Sequence, residues 1–214
     1  MFLIAAGASD VGRQRSRNED SFLIRPDLAV FAVADGMGGH AAGDVASRTA
    51  LETFLRSVAS RSMEEAIMLA NLAVWEVSQT DPQKAGMGTT LTAIRFEADS
   101  ELVCGHVGDS RLYRLRDGAL EQLTRDHSIP RTSMLTRAIG THADVEVDVF
   151  RASAVTGDRY LLCSDGLTGM LSDEDLRALV APPAELEKIC GDLIAAANQR
   201  GGHDNITAIL IEMR

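Results

Sequence analysis

The sequence LAVFAVADG, at positions 28–36, is the stretch that decides how the fold is read. Its apolar residues form an unbroken run rather than an alternating one, which is typical of a strand buried on both faces. Asp35 and Gly36 end the run, so a carboxylate stands at the edge of the core beside a glycine that lets other groups approach the backbone. Comparable acidic turns border two further apolar runs: Asp165-Gly166 and Asp204-Asn205.

Asp35, Asp165 and Asp204 would repel one another if the fold gathered them, and burying them without a cation would be unfavourable. An all-oxygen cluster suits hard divalent ions such as Mg2+ or Mn2+. One Asp-Gly pair after a strand is weak evidence, because most such pairs are ordinary turns. The three together indicate a metal-dependent hydrolase, provided that they converge.

Length, composition and charge narrow the class of protein. The chain has 214 residues, of which 45% are hydrophobic, and we expect one domain over residues 1–214. Its formal charge of −10 argues against nucleic acid or an anionic membrane as a general partner. The sequence has no window that approaches the roughly 18 apolar residues of a transmembrane helix. We expect a monomer.

Cysteine usage and the N-terminal stretch bear on location. Cys104, Cys163 and Cys190 are odd in number and show no CxxC spacing, and the first two lie inside apolar runs. They are interpreted as reduced core thiols. Residues 1–6 are apolar but lack a basic leader and are too short for a signal peptide. We therefore predict a cytoplasmic location.

Hydrophobic periodicity predicts strands and helices that are grouped rather than alternated. Strands are expected at 2–8, 21–24, 29–34, 89–96, 101–107, 110–116, 120–123, 145–150, 159–163 and 205–212. Helices are expected at 41–58, 63–78, 173–180 and 183–199. Ser62 with Glu65 predicts an N-terminal cap for the second helix. The turns Asp99-Ser100 and Gly108-Asp109 suggest a meander of hairpins. This grouping favours an α+β fold with two mainly antiparallel sheets and helices outside.

Six short motifs carry a resemblance to a known family. They are GRQRSRNED (12–20), DGMGG (35–39), GTT (88–90), GDSR (108–111), SDG (164–166) and GHDNIT (202–207). In this order they resemble the metal-dependent protein phosphatases of the type 2C serine/threonine class, in their compact bacterial form. The resemblance extends from about Ala8 to Ile211, and six ordered motifs are far more specific than any one of them.

The resemblance implies a four-layer αββα sandwich with a binuclear metal centre at one end. It implies that Asp35 bridges two Mg2+ or Mn2+ ions and that the Gly36 carbonyl binds one of them. Asp165 and Asp204 would complete the protein ligands of the other ion. Asp109, together with Asp165, matches a weaker third metal position.

Further residues match catalytic positions of the family. Glu19 and Asp20 would orient metal-bound waters, and Arg15 would bind the substrate phosphate, which its planar fork suits better than a lysine. Arg13 and Arg17 do not fall on that position; the basic run is either a solvated face or a phosphate-collecting patch. The expected reaction is hydrolysis of phosphoserine and phosphothreonine by direct attack of a hydroxide that bridges the two ions.

The identity of the general acid stays open. Some relatives have a histidine directly after the Asp-Gly pair, where this chain has Met37. His40 or a metal-bound water are the alternatives. The five histidines show no two-histidine metal spacing, and Cys163, in an apolar strand beside an aspartate, is not expected to be a nucleophile.

The clearest departure from the family lies around residues 128–134. Bacterial relatives insert a helical flap before a segment like MLTRAIG (134–140), whereas here only Ile129–Ser133 intervenes. We expect a more open site, with altered substrate selectivity and third-metal binding.

Three functions remain to be separated. The leading hypothesis is a phosphatase acting on phosphorylated proteins, the substrates of a bacterial serine/threonine kinase. The alternatives are a catalytically weak metal-binding regulatory module that recognises phosphorylated partners, and a small-molecule phosphomonoesterase.

Overall fold

The computed structural model describes residues 2–38, 42–98, 100–129, 132 and 134–214. Its strands are β1 (Leu3–Asp10), β2 (Ser21–Arg25), β3 (Val30–Ala34), β4 (Gly36–Met37), β5 (Gly88–Thr89), β6 (Leu91–Glu97), β7 (Glu101–Val107), β8 (Arg111–Arg116), β9 (Ala119–Gln122), β10 (Asp148–Ser153), β11 (Arg159–Cys163) and β12 (Ile206–Met213). Its helices are α1 (Ala42–Val58), α2 (Met63–Thr80), α3 (Asp165–Thr168), α4 (Asp173–Val180) and α5 (Leu186–Gln199), with short 3-10 helices at Pro26–Leu28 and Pro82–Lys84.

Ten of these strands form two five-stranded sheets. The first sheet has the order β1-β12-β11-β8-β9 and the second the order β10-β7-β6-β3-β2. Neighbouring strands are antiparallel in both. The short β4 and β5 pair with each other beside the second sheet. The prediction of two antiparallel sheets is therefore confirmed.

Three apolar layers hold the sheets and helices together. Helices α1 and α2 pack on the outer face of the second sheet, and α3, α4 and α5 pack on that of the first. The inner faces meet in a third layer, where Phe96 stacks edge-on against Tyr160 at 5.3 Å between ring centroids. Strand β3 contributes Val30 and Ala32 to the helical side and Phe31 to the layer between the sheets. This explains its unbroken apolar run and confirms the αββα sandwich.

Most predicted elements have the expected positions, and β7, β11 and α4 have the expected bounds. The capping box is present, since the Glu65 N–H donates to the Ser62 hydroxyl at 3.2 Å and the Ser62 N–H donates to the Glu65 carboxylate at 3.0 Å. Helix α5 begins at Leu186 rather than residue 183. Ala41 and Asp99, which fell in a predicted helix and turn, lie outside the described residues.

The strand predicted at 145–150 is wrong in position, because β10 runs from Asp148 to Ser153. Val145 and Val147 instead pack against the helical side of the second sheet from irregular backbone. The predicted turn at Asp165 is the first residue of the short helix α3.

The hairpin predicted at Gly108-Asp109 is also wrong. Strand β7 belongs to the second sheet and β8 to the first, so the chain crosses between the sheets here. This crossover places Asp109 at the end of the sandwich rather than on the rim of one sheet.

Candidate metal centre

Strand pairing brings the predicted site residues of the second sheet together. Ser21 pairs with Ala34, so that Asp20, before β2, lies beside Asp35, after β3. The Asp35 carbonyl oxygen accepts a hydrogen bond of 2.9 Å from the Thr90 N–H. The Asp35 N–H in turn donates to the Thr90 hydroxyl at 2.9 Å. Backbone contacts therefore fix Asp35 where the core ends.

The first sheet delivers its carboxylates to the same end of the sandwich. Cys163 pairs with Ala208, which places Asp165, after β11, near Asp204, before β12. Asp109 arrives from the crossover between the sheets. The site therefore draws on both sheets.

A cavity of about 230 Å³ lies where these turns meet. It is lined by Arg15, Glu19, Asp35, Gly36, Met37, Gly38, Thr90, Asp109, Leu135, Asp165 and Asp204. Seven of the eight predicted site residues are among them, and Asp20 lies behind the cavity. The structure thus brings the predicted residues together, while their individual roles stay predictions.

The carboxyl groups of Asp35 and Asp165 line the same cavity and influence each other's ionisation. Burial, then repulsion from Asp20 and the other carboxylates, raises the pKa of Asp35 well above its ordinary value. Burial and repulsion from Asp204 raise the pKa of Asp165 as well. The raised pKa values favour the protonated forms, and protonation relieves the repulsion between crowded carboxyl groups.

Asp20 is held by two hydroxyl groups and leaves one oxygen unused. Ser164 and Thr207 donate to its Oδ2 at 2.7 and 2.6 Å. Its Oδ1 is buried and has no hydrogen-bond partner among the described residues. Burial raises the pKa of Asp20 to about 6, although the two hydroxyl groups partly oppose that change. An orphaned buried oxygen of this kind indicates a missing cation or water.

Arg15 and Glu19 border the mouth of the cavity. An Arg15 Nη2 donates to Asp204 Oδ2 at 2.6 Å, and the Arg15 side chain is 54% exposed, so it is within reach of an incoming ligand. The Glu19 carboxylate lies against Gly43 near the start of α1, and burial raises its pKa. Gly36 has no room for a side chain, since an added Cβ would lie 2.2 Å from the Gly43 carbonyl oxygen.

The carboxylate and carbonyl oxygens of this site fit hard divalent cations, although the described side chains are not arranged in a closed coordination shell. Among the residues that the structure describes, no three His, Cys, Asp or Glu side chains stand close enough to enclose one ion. One reason is local, because the Asp204 carboxylate is turned to Arg15. The raised pKa values and the orphaned oxygen of Asp20 are what a cluster built for cations shows without them.

Asn205 is a supporting residue that sequence reasoning quoted without giving it a role. Its Nδ2 donates to the carbonyl oxygens of Val11 and Arg17 at 2.9 and 2.8 Å, and its Oδ1 accepts from the Glu19 N–H at 2.8 Å. One side chain thus holds both ends of the loop that carries Arg15. The only sequence signal was its position directly after Asp204.

The structure bears on some of the other residues considered for a catalytic or binding role. Burial raises the pKa of the Cys163 thiol to about 12, which agrees with the prediction that it is not a nucleophile. Met37 lines the cavity, whereas His40 lies outside the described residues. The side chains of Arg13 and Arg17 are exposed, as a solvated basic face would be.

A larger cleft of about 820 Å³ adjoins the central cavity and shares Asp109 and Asp165 with it. Its outer edge includes Ser128 and Thr132, in the connection where relatives are expected to carry a flap. On either side of that connection, the Ile129 N–H donates to the Met134 carbonyl oxygen at 2.9 Å.

The comparisons with known proteins identify the family. The family model for protein phosphatase 2C matches residues 7–210. This chain belongs to the protein phosphatase 2C family. The serine/threonine phosphatase stp of Listeria monocytogenes is 37% identical, covering 95% of this chain and 93% of its own. That alignment spans 236 positions, more than the 214 residues here, so the relative has residues without a counterpart in this chain.

Two solved structures show the same family fold. The crystal structure of the Mycobacterium tuberculosis serine/threonine phosphatase PstP/Ppp is 36% identical and covers 100% of both chains, with a TM-score of 0.92. The catalytic domain of PstP in complex with two manganese ions is 37% identical, covers 98% of this chain and 97% of its own, and gives a TM-score of 0.89. Among the described residues of this chain, no helix is long and apolar enough to cross a membrane.

Proposed function

We propose that this chain is a Mg2+- or Mn2+-dependent protein phosphatase that hydrolyses phosphoserine and phosphothreonine. The observation that carries the proposal is the convergence of Asp35, Asp165 and Asp204 from both sheets in one cavity, with Arg15 at its mouth. Family membership and the two manganese ions of the related PstP domain support the same conclusion.

Asp35 and the Gly36 carbonyl would hold one ion, and Asp35, Asp165 and Asp204 would hold the other. When bound, two divalent ions supply a water that ionises near neutral pH and neutralise charge on the phosphoryl group. For the ions to bind, the carboxyl groups of Asp35 and Asp165 must be deprotonated. Asp204 must also release Arg15.

Arg15 then becomes available to the substrate. Its guanidinium would exchange one carboxylate oxygen of Asp204 for two oxygens of the phosphate, a planar bidentate contact. Glu19 would orient water from the lining of the cavity, and Asp20 would do so through the buried oxygen that has no hydrogen-bond partner among the described residues. Asp109, beside Asp165, would hold a third and weaker ion.

The surroundings of the cavity favour a polypeptide substrate. The 820 Å³ cleft shares Asp109 and Asp165 with the cavity, and a second recess of about 390 Å³ shares Met37 and Leu135. Chain segments on either side of a phosphorylated side chain would each find a recess. The short connection at 129–134 predicts a more open site than in relatives that carry a flap, and small phosphomonoesters are therefore the second candidate substrates.

Family membership does not by itself give the substrates, the oligomeric state or the location of this protein. Phosphorylated proteins made by a serine/threonine kinase are the proposed substrates. The monomeric state, the cytoplasmic location and the single domain stay predictions.

Hydrolysis of p-nitrophenyl phosphate tests the reaction. We expect turnover with Mn2+, none with EDTA, and none with Asp35→Asn, whose circular dichroism should match that of the wild type. Full Mn2+-stimulated activity in Asp35→Asn would refute the binuclear assignment. Comparing a phosphothreonine peptide with phosphosugars then separates the two substrate classes, and a preference for the sugars would refute the protein phosphatase.

A further inference from the structure

His127 lies in the loop after β9 and is 4% exposed. Its backbone and its ring both form hydrogen bonds with Gly108, in the segment where the chain crosses from β7 to β8. Its N–H donates to the Gly108 carbonyl oxygen at 2.7 Å, and the Gly108 N–H donates back to the imidazole Nδ1 at 3.2 Å. Its carbonyl oxygen accepts from the Thr136 N–H at 2.8 Å, which ties down the short connection that follows. His127 thus forms hydrogen bonds with both the N–H and the carbonyl oxygen of Gly108.

The orientation of the His127 ring is also fixed by a hydrogen bond at its other nitrogen, Nε2. Because Nδ1 accepts from a backbone N–H, the ring proton is on Nε2. Nε2 donates to Asp148 Oδ2 at 3.1 Å, and the other oxygen of Asp148 accepts from Arg137 at 2.6 Å. Asp148 and Arg137 therefore set the tautomer and orientation that let His127 accept from Gly108.

Gly108 immediately precedes Asp109, which faces the large cleft and neighbours Asp165. The residue on its other side is also held, because the hydroxyl of Ser110 is 2.7 Å from that of Thr90. Asp109 therefore lies between two residues, Gly108 and Ser110, that are held by hydrogen bonds. The position of its carboxylate depends on both.

We propose that His127 is a positioning residue for Asp109: through Gly108 it holds the Asp109 carboxylate in place for the third, weaker cation. The inference rests on the proposed function, because that function supplies the cation. In this chain the contact bears more of that task, since the connection beyond His127 is short and the family's flap is not there to order the edge of the cleft.

Two conservative substitutions separate the two halves of the imidazole. In His127→Asn, the amide oxygen lies near the position of Nδ1 and can accept from Gly108, but the side chain is too short to reach Asp148. In His127→Gln, the amide reaches toward Asp148 and loses the acceptor for Gly108. His127→Ala loses both.

The measurement is Mn2+ binding to the whole chain by isothermal titration calorimetry, with bound ions counted by electron paramagnetic resonance. We expect two tighter sites that hardly change in any variant. The weaker site should stay within about twofold in His127→Asn and weaken roughly tenfold in His127→Gln and His127→Ala, since a buried N–H is then left without its partner. The KM for activation of p-nitrophenyl phosphate hydrolysis by Mn2+ should follow the same order.

The matched control is His106→Gln. His106 is buried and its ring lies 4.6 Å from that of His127, but its described hydrogen bonds go to Thr92 and Arg125. We expect His106→Gln to lower the melting temperature and leave the weak site within about twofold of wild type.

Three results would overturn the proposal: a wild type that binds only two ions, equal weakening in His127→Asn and His127→Ala, or a His106→Gln control as weak as His127→Gln. Failure of the proposed function would look different, because the wild type would then lack Mn2+-dependent hydrolysis while the order of the variants in the binding experiment was kept.

Discussion

Replacing Asp109 by asparagine should stabilise the metal-free protein at pH 8 and remove its weak-site response to Mn2+. Asp109 is half-buried, and burial followed by repulsion from Asp165 and Asp126 raises its pKa from 3.8 to about 7. In the unfolded chain the same carboxyl group has its ordinary pKa. The folded protein therefore holds a proton on Asp109 through a pH range in which the unfolded chain has released it.

The sign of the effect follows from proton binding. Where the folded state binds more protons than the unfolded state, the free energy of unfolding falls as pH rises. The contribution of Asp109 is complete below pH 3.8, falls between there and about 7, and is gone above that value. One pKa unit corresponds to ~1.4 kcal/mol, so the upper limit is roughly 4 kcal/mol. Solvent reaches this half-buried side chain, and we expect about 1–2 kcal/mol.

Urea unfolding in EDTA, at pH 5 and pH 8, measures this difference. Asp109→Asn should be more stable than wild type by about 1–2 kcal/mol at pH 8 and by roughly a third of that at pH 5, since the stabilisation is lost progressively between the two pKa values. Asp175→Asn is the control of opposite sign: hydrogen bonds from Arg200 and Ser172 lower the pKa of Asp175, so the variant should be less stable than wild type at both values of pH. An Asp109→Asn protein that is no more stable than wild type at pH 8 would refute the electrostatic reasoning.

Three further substitutions test separate parts of the structure. Arg15→Lys should lower kcat/KM for p-nitrophenyl phosphate by about 10–100-fold through loss of the bidentate contact, while calorimetry still shows Mn2+ bound; an unchanged kcat/KM would remove Arg15 from the phosphate site. Gly12→Ala places a Cβ 2.2 Å from the Asp204 carbonyl oxygen at a φ of +81°, so both the melting temperature and Mn2+ affinity should fall; a wild-type melt would contradict this. Asp158→Ala removes the 1% exposed partner of Arg116 and should lower the free energy of unfolding by roughly 3 kcal/mol in urea, with little effect on turnover.

The layers of the fold were predictable because they follow from which faces are apolar. Within the run at 28–34, residues 30–34 are buried on both sides, and the structure shows why: Val30 and Ala32 face the helices while Phe31 faces the other sheet. Strand β7, with the same burial, was predicted residue for residue. The crossover at Gly108 was not predicted, because a glycine and an aspartate between two apolar strands look the same in a hairpin as in a change of sheet.

For the site, acidic turns after buried strands predicted which carboxylates meet, since strand ends of one sheet share an edge. The supporting residues were not predictable in that way. Asn205 and His127 act through backbone groups far along the chain, at Val11 and Gly108, and no local pattern marks such partners. The family motifs drew attention to Asn205 without explaining it, and His127 emerged only from the hydrogen bonds.

The acidic end of the sandwich explains why metal and stability should be coupled here. Burial, and then repulsion between the carboxylates, raises the pKa values of Asp20, Asp35, Asp109 and Asp165, so the metal-free fold carries buried charge and repulsion that protons partly relieve. Divalent cations relieve the same repulsion more completely and need the carboxylates deprotonated. Protons and cations therefore compete for one set of carboxylate oxygens. We expect the folded protein to be most stable when the divalent cations required for catalysis are bound. Residues such as Asn205 and His127 hold the backbone rigid from outside the cluster, which keeps mutually repelling carboxylates in place until the cations arrive.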